Sequence, residues 1–252
     1  MRTSDGPRAG AVLVTAALQF VAGTAGGAGL TGEPVGDVAN SHPTLLLPAG
    51  TAFTIWSLIY AVLLVTAVWQ ALPAQRHRDV HRRTGWWLAV SGVLNAAWIV
   101  VFTQHWIVVS EVVIVALLAC LLTAFAKLGP ARGWADRLLL HIPLGLYAGW
   151  VTAATVAGAA TTGAALGIRP PDTVAVVLAG AATLATAAVT VWVVSRWRAV
   201  AGYALAVAWA LTWIAVATPA TAVVATALTG VALVVVAAGL RLARGGRSAT
   251  LG

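Results

Sequence analysis

The sequence predicts an all-α fold: a polytopic membrane helix bundle of eight transmembrane helices with both termini cytoplasmic. Three observations carry this. Hydrophobic residues make up 60% of the chain and charged ones 9%, with a mean hydropathy of +0.92, far from the balance of soluble globular proteins. The apolar residues fall into eight windows, near 11–30, 49–72, 85–103, 106–127, 138–160, 173–195, 200–217 and 219–240, each close to the ~20 residues that cross a ~30 Å hydrocarbon core as a helix. The cations then fall in alternate connections between these windows.

Backbone groups in lipid have to be satisfied internally, so windows of this length, lacking the ~10-residue alternation of barrel strands, are helices. The first follows Arg2 and Arg8. It is read as a span and not as a cleaved signal peptide, whose apolar segment is usually only about 7–15 residues. Gly23 and Gly27 on it form a small-xxx-small pair suited to close helix contact, within the chain or in a homodimer. A longer acidic loop with Glu33, Asp37 and His42 leads to the second window, and Arg76, Arg78, Arg82 and Arg83 precede the third. A short turn near 103–105 leads into the fourth window, and Lys127, Arg132 and Arg137 precede the fifth. The loop around 161–172 precedes the sixth, Arg196 and Arg198 the seventh, and a tight turn near 218 the eighth; Arg241, Arg244 and Arg247 follow it. With eight spans, every Lys and Arg except Arg169 lies on one side. Short basic loops stay cytoplasmic, which places both termini inside a cell (plasma or inner) membrane.

The net charge of +8 does not point to nucleic acid, because its cations flank helices in five separate segments, where membrane lipid is the expected partner. Cys120 is the lone cysteine, which excludes an intramolecular disulfide and a Cys-based zinc site and suits packing. Near residue 165 the chain changes character. Residues 1–165 are expected to form a five-helix bundle that holds nearly all the polar and aromatic groups at membrane depth, and with them any chemistry. Residues 166–252, mostly Ala, Val, Leu and Thr, are expected to form a three-helix hydrophobic extension.

Helical spacing puts Ser91, Asn95, Trp98 and Phe102 on one face of the third window. The second window aligns Phe53, Trp56, Ser57, Tyr60 and Leu64, and the fifth Pro143, Tyr147, Trp150 and Ala154. At ~1.5 Å per residue, Trp56, Asn95 and Trp150 lie ~10–15 Å below the outer ends of their helices and Glu111 ~7 Å below that of the fourth. The stripes therefore meet in the outer half of the membrane. Trp86, Trp87, Trp106, Trp134, Trp192 and Trp197 stand next to charged flanks and belong to interfacial belts. Trp56, Trp98 and Trp150 are too deep for a belt, and serve either helix packing or a ligand. A buried Asn95 needs partners, which a neighbouring helix or a ligand could supply. Glu111 is the only acid well inside a span; such a carboxylate suggests function, although a helix N-terminus also stabilises one.

At this point four stretches resemble a family. LPAGTAFTIWSLIY (47–60) looks like the Pro-rich beginning and F-x-x-V-W pattern of the second helix of the tryptophan-rich sensory proteins, the TspO or translocator protein family (TspO/MBR). LNAAWIVVF (94–102) is similar to that family's third-helix L-N-x-A-W-x-x-x-F, its fourth helix starts with an acidic residue near the place of Glu111, and PLGLYAGWVTAAT (143–155) resembles its fifth-helix Y-x-x-W-V-x-x-A-T. The four occur in order, over residues of about 11–160. The resemblance implies a membrane receptor or translocator that binds porphyrins, other tetrapyrroles or sterols in a pocket among five helices. The residues expected to line it are Phe53, Trp56, Tyr60, Asn95, Trp98, Phe102, Glu111, Tyr147 and Trp150, with Asn95 holding the Trp56 indole or a ligand carbonyl. There are departures: Pro48 stands alone where two prolines are common, Gly158 takes the place of a usual Asn, and the last three helices have no counterpart in the five-helix family.

Other classes fit less well. A retinal pigment needs a mid-membrane lysine, and Lys127, the only one, stands at a helix end. A secondary transporter of a small amphipathic molecule is the runner-up, although it usually carries more intramembrane charge and a clear repeat. Some relatives are reported to degrade porphyrins, but no nucleophile–base set or metal cluster supports an enzyme here, and His105 and His141 stand near opposite faces. No catalytic or metal-ligating residue and no required cofactor is expected; porphyrin or haem enters as ligand.

Overall fold

The computed structural model describes residues 5–251, the side chains of 245–250 excepted, and all its regular elements are helical. In chain order the long helices are α1 (Asp5–Gly27), α2 (Ile55–Ala71), α3 (Asp79–Thr103), α4 (Ile107–Ala126), α5 (Ile142–Ala165), α6 (Asp172–Arg196), α7 (Ala201–Ala217) and α8 (Thr221–Thr250). A 3-10 turn over Gly50–Thr54 leads into α2 and a π-helical turn over Arg137–His141 into α5, while a short helix, Val35–Ser41, lies in the loop after α1. Seven of these segments are long and apolar enough to cross a membrane; α7, with 17 residues, is the shorter exception. Its limits are local. Ala199 turns the chain with a positive φ of 59° before it, and Pro219, which cannot continue a helix, follows it. The protein is a polytopic helical membrane bundle.

α1 packs between α2 and α3; α4 then bridges α3 and α5, and α5 packs on α7, which with α6 holds α8. Small residues set the close approaches. A Cβ at Gly92 of α3 would strike the Thr15 backbone of α1, one at Gly149 of α5 the Tyr203 backbone of α7, and one at Gly202 of α7 the Ile142 carbonyl of α5. The tightest of these seams thus crosses residue 165. On α1, Gly23 accommodates the Tyr60 ring and Gly26 the Ile99 side chain, whereas Gly27 meets nothing. Within the chain, the close contacts of α1 are therefore made at Gly23 and Gly26.

Trp86, Trp87, Trp106, Trp134 and Trp192 are exposed on the outside of the bundle. Trp197 departs from the belt expectation: it is half-buried against Phe125, their ring centroids 5.5 Å apart. At the basic end, Arg8 is only 2% exposed. Its guanidinium donates to Gln70 Oε1 at 3.1 Å, to the His81 carbonyl at 2.8 Å and to the Arg76 carbonyl. Arg82 and His77 hold Asp5 at 2.7 and 3.0 Å, and Arg78 grips Asp136 with two bonds of 2.6 Å. Arg241 reaches the carbonyls of Ser195 and Trp197 at 3.2 and 3.1 Å. Of the cations used to orient the chain, Arg2 and the Arg247 side chain lie outside the described residues.

At the other end the loop after α1 is clasped to α3: Glu33 N–H donates to the Thr103 carbonyl at 3.1 Å, and the Glu33 carboxylate meets His105 Nε2 at 2.7 Å. The loop before α2 is tied to α7, where Ala49 N–H donates to the Trp213 carbonyl at 3.2 Å and Trp209 Nε1 to the Ala52 carbonyl at 3.0 Å.

Candidate functional site

The three aromatic stripes converge on Trp56. One turn apart on α2, Trp56 and Tyr60 stack at 5.3 Å with planes 17° apart, and on α3 Trp98 and Phe102 stack at 5.1 Å and 16°, the i, i+4 geometry of a helix face. Between helices the rings mostly meet edge-on: Trp56 with Trp150 at 6.1 Å and 89°, Trp56 with Tyr147 at 6.2 Å and 73°, Phe53 with Trp150 at 6.2 Å and 85°. Trp56 and Trp98 are tilted at 5.8 Å. Both arrangements suit the ring quadrupole.

These rings wall a cavity of about 60 Å³, room for on the order of five waters. Phe53, Trp56, Trp98, Phe102 and Trp150 form its aromatic side. α4 adds Ile107, Ser110, Glu111 and Ile114; α5 adds small residues from Ala153 to Gly158; α7 adds Ala210 and Ile214; and Ala39 of the loop helix covers it. A groove of about 500 Å³ runs between α1 and α2, past Phe20, Gly23, Ser57 and Tyr60. It shares Phe53, Trp56 and Trp98 with the cavity. The Trp56–Trp98 pair is thus the partition between two spaces.

Polar groups around this partition are poorly matched. Asn95 is 0% exposed, and neither its Nδ2 nor its Oδ1 has a hydrogen-bond partner; Trp150 Nε1 has none either. The Tyr60 and Tyr147 hydroxyls lie beside Asn95 without bonding geometry, and Tyr147 donates instead to Gln19 Oε1 at 3.2 Å. The Glu111 side chain crosses to α5, where one carboxylate oxygen occupies the space that a Cβ at Gly158 would need. It has no hydrogen bond or ion pair with any described residue. Among the described residues no group of His, Cys, Asp and Glu is placed to hold a metal ion.

Of the nine residues expected at the site, Phe53, Trp56, Trp98, Phe102, Glu111 and Trp150 line the cavity. Tyr60 faces the groove. Tyr147 and Asn95 are buried but line neither space, and Asn95 makes no hydrogen bond to Trp56. Ser57 of the second stripe is exposed, on the groove side. Sequence reasoning missed Ser110, Ala153, Ala157 and everything from α7. The readable signal was the pair Trp209 and Trp213, one turn apart on α7 with ring centroids at 5.4 Å.

A profile of TSPO-like proteins matches residues 9–240 of this sequence. The chain belongs to the TSPO-like protein family. No curated protein and no solved structure matches it. The family match runs far past residue 160, where the four motifs stop, and takes in α6, α7 and most of α8. In the TSPO-like family these helices are thus part of the matched region. It agrees with the packing, since Gly149 and Gly202 join α5 to α7 and α7 contributes to the cavity wall. This TSPO-like chain is an integral membrane protein with an aromatic cluster at its centre.

Proposed function

We propose that this TSPO-like protein binds a flat hydrophobic molecule, a tetrapyrrole such as porphyrin or haem or a sterol-like compound, in the outer half of the membrane, in a sensory, regulatory or transport role. One observation carries the reading: five rings from three helices and the 3-10 turn before α2, Phe53, Trp56, Trp98, Phe102 and Trp150, line a single cavity. Each such ring offers 150–250 Å² of apolar surface, with ~0.5–1.5 kcal/mol per well-oriented pair beyond area burial. As it stands the cavity is smaller than a tetrapyrrole. Rotation of Trp56 and Trp98 joins it to the groove, so these two rings act as wall and gate together. The unpaired Asn95 amide and Trp150 N–H are the polar groups such a rearrangement can satisfy. The transporter reading rests on the same partition between two spaces.

We further propose that α7 is an eighth span, that both termini are cytoplasmic and that the chain sits in the plasma or inner membrane. At ~1.5 Å per residue its 17 residues reach ~26 Å, close to the hydrocarbon thickness, and the Arg8, Arg78 and Arg82 networks gather at one end of the bundle. Reporters fused after Arg83 and after Leu251 then score cytoplasmic and one near Asp37 extracytoplasmic; an extracytoplasmic C-terminus overturns the eight-span reading. The ligand reading is tested by titrating purified protein with protoporphyrin and haem, followed by absorbance and tryptophan quenching. Saturable quenching is expected, and its absence for both compounds overturns the tetrapyrrole assignment.

A further inference from the structure

Among the described residues Glu111 is the one charged residue on the cavity lining, which it shares with Phe102, Trp98, Trp150 and the small residues of α5. A carboxylate in apolar surroundings is costly without a counter-charge or hydrogen bonds, and this one has neither among the described residues. Its place near the start of α4 does not account for it. It is the fifth residue of that helix, past the first turn where the helix dipole acts. Its side chain does not fold back on the free N–H groups of its own helix but reaches across to α5, where Gly158 leaves room for the carboxylate. The space is made by the absence of a side chain at 158, so the carboxyl group is accommodated in the wall with no bonding partner there.

A lone acidic side chain on a cavity wall that also carries indole rings is the chemistry that recognises an organic cation, because the ring faces attract positive charge as a carboxylate does. We infer that the cavity selects ligands whose flat or apolar body carries a cationic nitrogen, an amine or quaternary ammonium, set between the Glu111 carboxylate and the indoles of Trp98 and Trp150. This rests on the reading of the cavity as a ligand site. It adds a charge preference: among flat ligands an amine is favoured over a carboxylic acid, and the carboxylates of an acidic tetrapyrrole point away from Glu111.

The test uses two molecules of one shape, benzyltrimethylammonium and its neutral carbon counterpart neopentylbenzene. Each is titrated by tryptophan fluorescence into the full chain in zwitterionic nanodiscs, with uptake by empty nanodiscs subtracted. The wild-type chain is expected to bind the cation at least tenfold more tightly than the neutral molecule, a comparison that needs no variant. Glu111→Gln is expected to weaken the cation tenfold or more and the neutral molecule less than twofold. Equal affinities in the wild type, or a preference that survives Glu111→Gln, overturn the inference while leaving the cavity a ligand site. If neither molecule binds saturably, the charge preference falls, while the ligand-site reading stands or falls on the protoporphyrin and haem titration.

Discussion

The two ends of the bundle treat their buried polar groups in opposite ways. At the basic end Arg8 reaches one side chain and two carbonyls, Asp5 is held by Arg82 and His77, and Arg78 and Asp136 pair twice over; among the described residues there, Arg8 Nε, His81 Nε2 and Arg241 Nε lack partners. Around the cavity, Asn95 has no partner at either atom, Trp150 Nε1 none, and Glu111 no counter-charge. An unsatisfied buried polar group costs ~1–3 kcal/mol. The basic end is therefore built for stability, tying the start of α1 to the turn between α2 and α3. The cavity end holds polar groups in a state that a ligand can improve.

The contrast can be broken most severely at Arg8. Arg8→Ala removes three hydrogen bonds from a buried cation and leaves the carbonyls of Arg76 and His81 unpaired, so stability in detergent is expected to fall by about 3 kcal/mol; a loss under 1 kcal/mol would show that the basic end is ornament. Next in size is the aromatic wall. Trp56→Ala together with Trp150→Ala should weaken porphyrin affinity at least tenfold, about 1.4 kcal/mol, while the chain still melts cooperatively; unchanged affinity removes these rings from the site. A third substitution of the same kind as the first should have the opposite sign. Asn95→Leu replaces an amide without partners by apolar surface and is expected to raise the stability of the ligand-free protein by ~1 kcal/mol. A clear drop in melting temperature would mean that Asn95 is bonded after all. The smallest effect concerns α7: Trp209→Phe deletes the N–H bond to Ala52 and should cost ~0.5–1 kcal/mol, read from the same melting curves.

Much of this was legible because membranes impose few solutions. Apolar windows announce α1 to α7 to within several residues and the start of α8, which runs on to Thr250 past its window's end at 240, since a helix in lipid has to be long, apolar and internally hydrogen-bonded. The faces of α2, α3 and α5 followed from helical spacing alone, and six of the nine expected side chains do line one cavity. What escaped was chemically quiet. Ala153 and Ala157 of α5 and Ala210 and Ile214 of α7 have no reactive group to notice; they line the cavity because Gly149 and Gly202 let two backbones approach. Gly23 and Gly27 looked equivalent in the sequence, yet one touches Tyr60 and the other nothing, because helix rotation is set by every neighbour together.

By itself, then, the sequence determined the class, the approximate limits of the helices, the clustering of cations in alternate connections and the convergence of aromatic faces. These depend on periodicity and on transfer energies that each segment carries alone. The tertiary structure decided which of those faces share a cavity, that Asn95 stands behind the rings and not among them, that Glu111 reaches across to Gly158, and that α7 completes the wall. Those depend on contacts between residues distant in the chain, such as Trp209 on Ala52, 157 positions apart, and no local pattern encodes a contact whose partner lies on another helix.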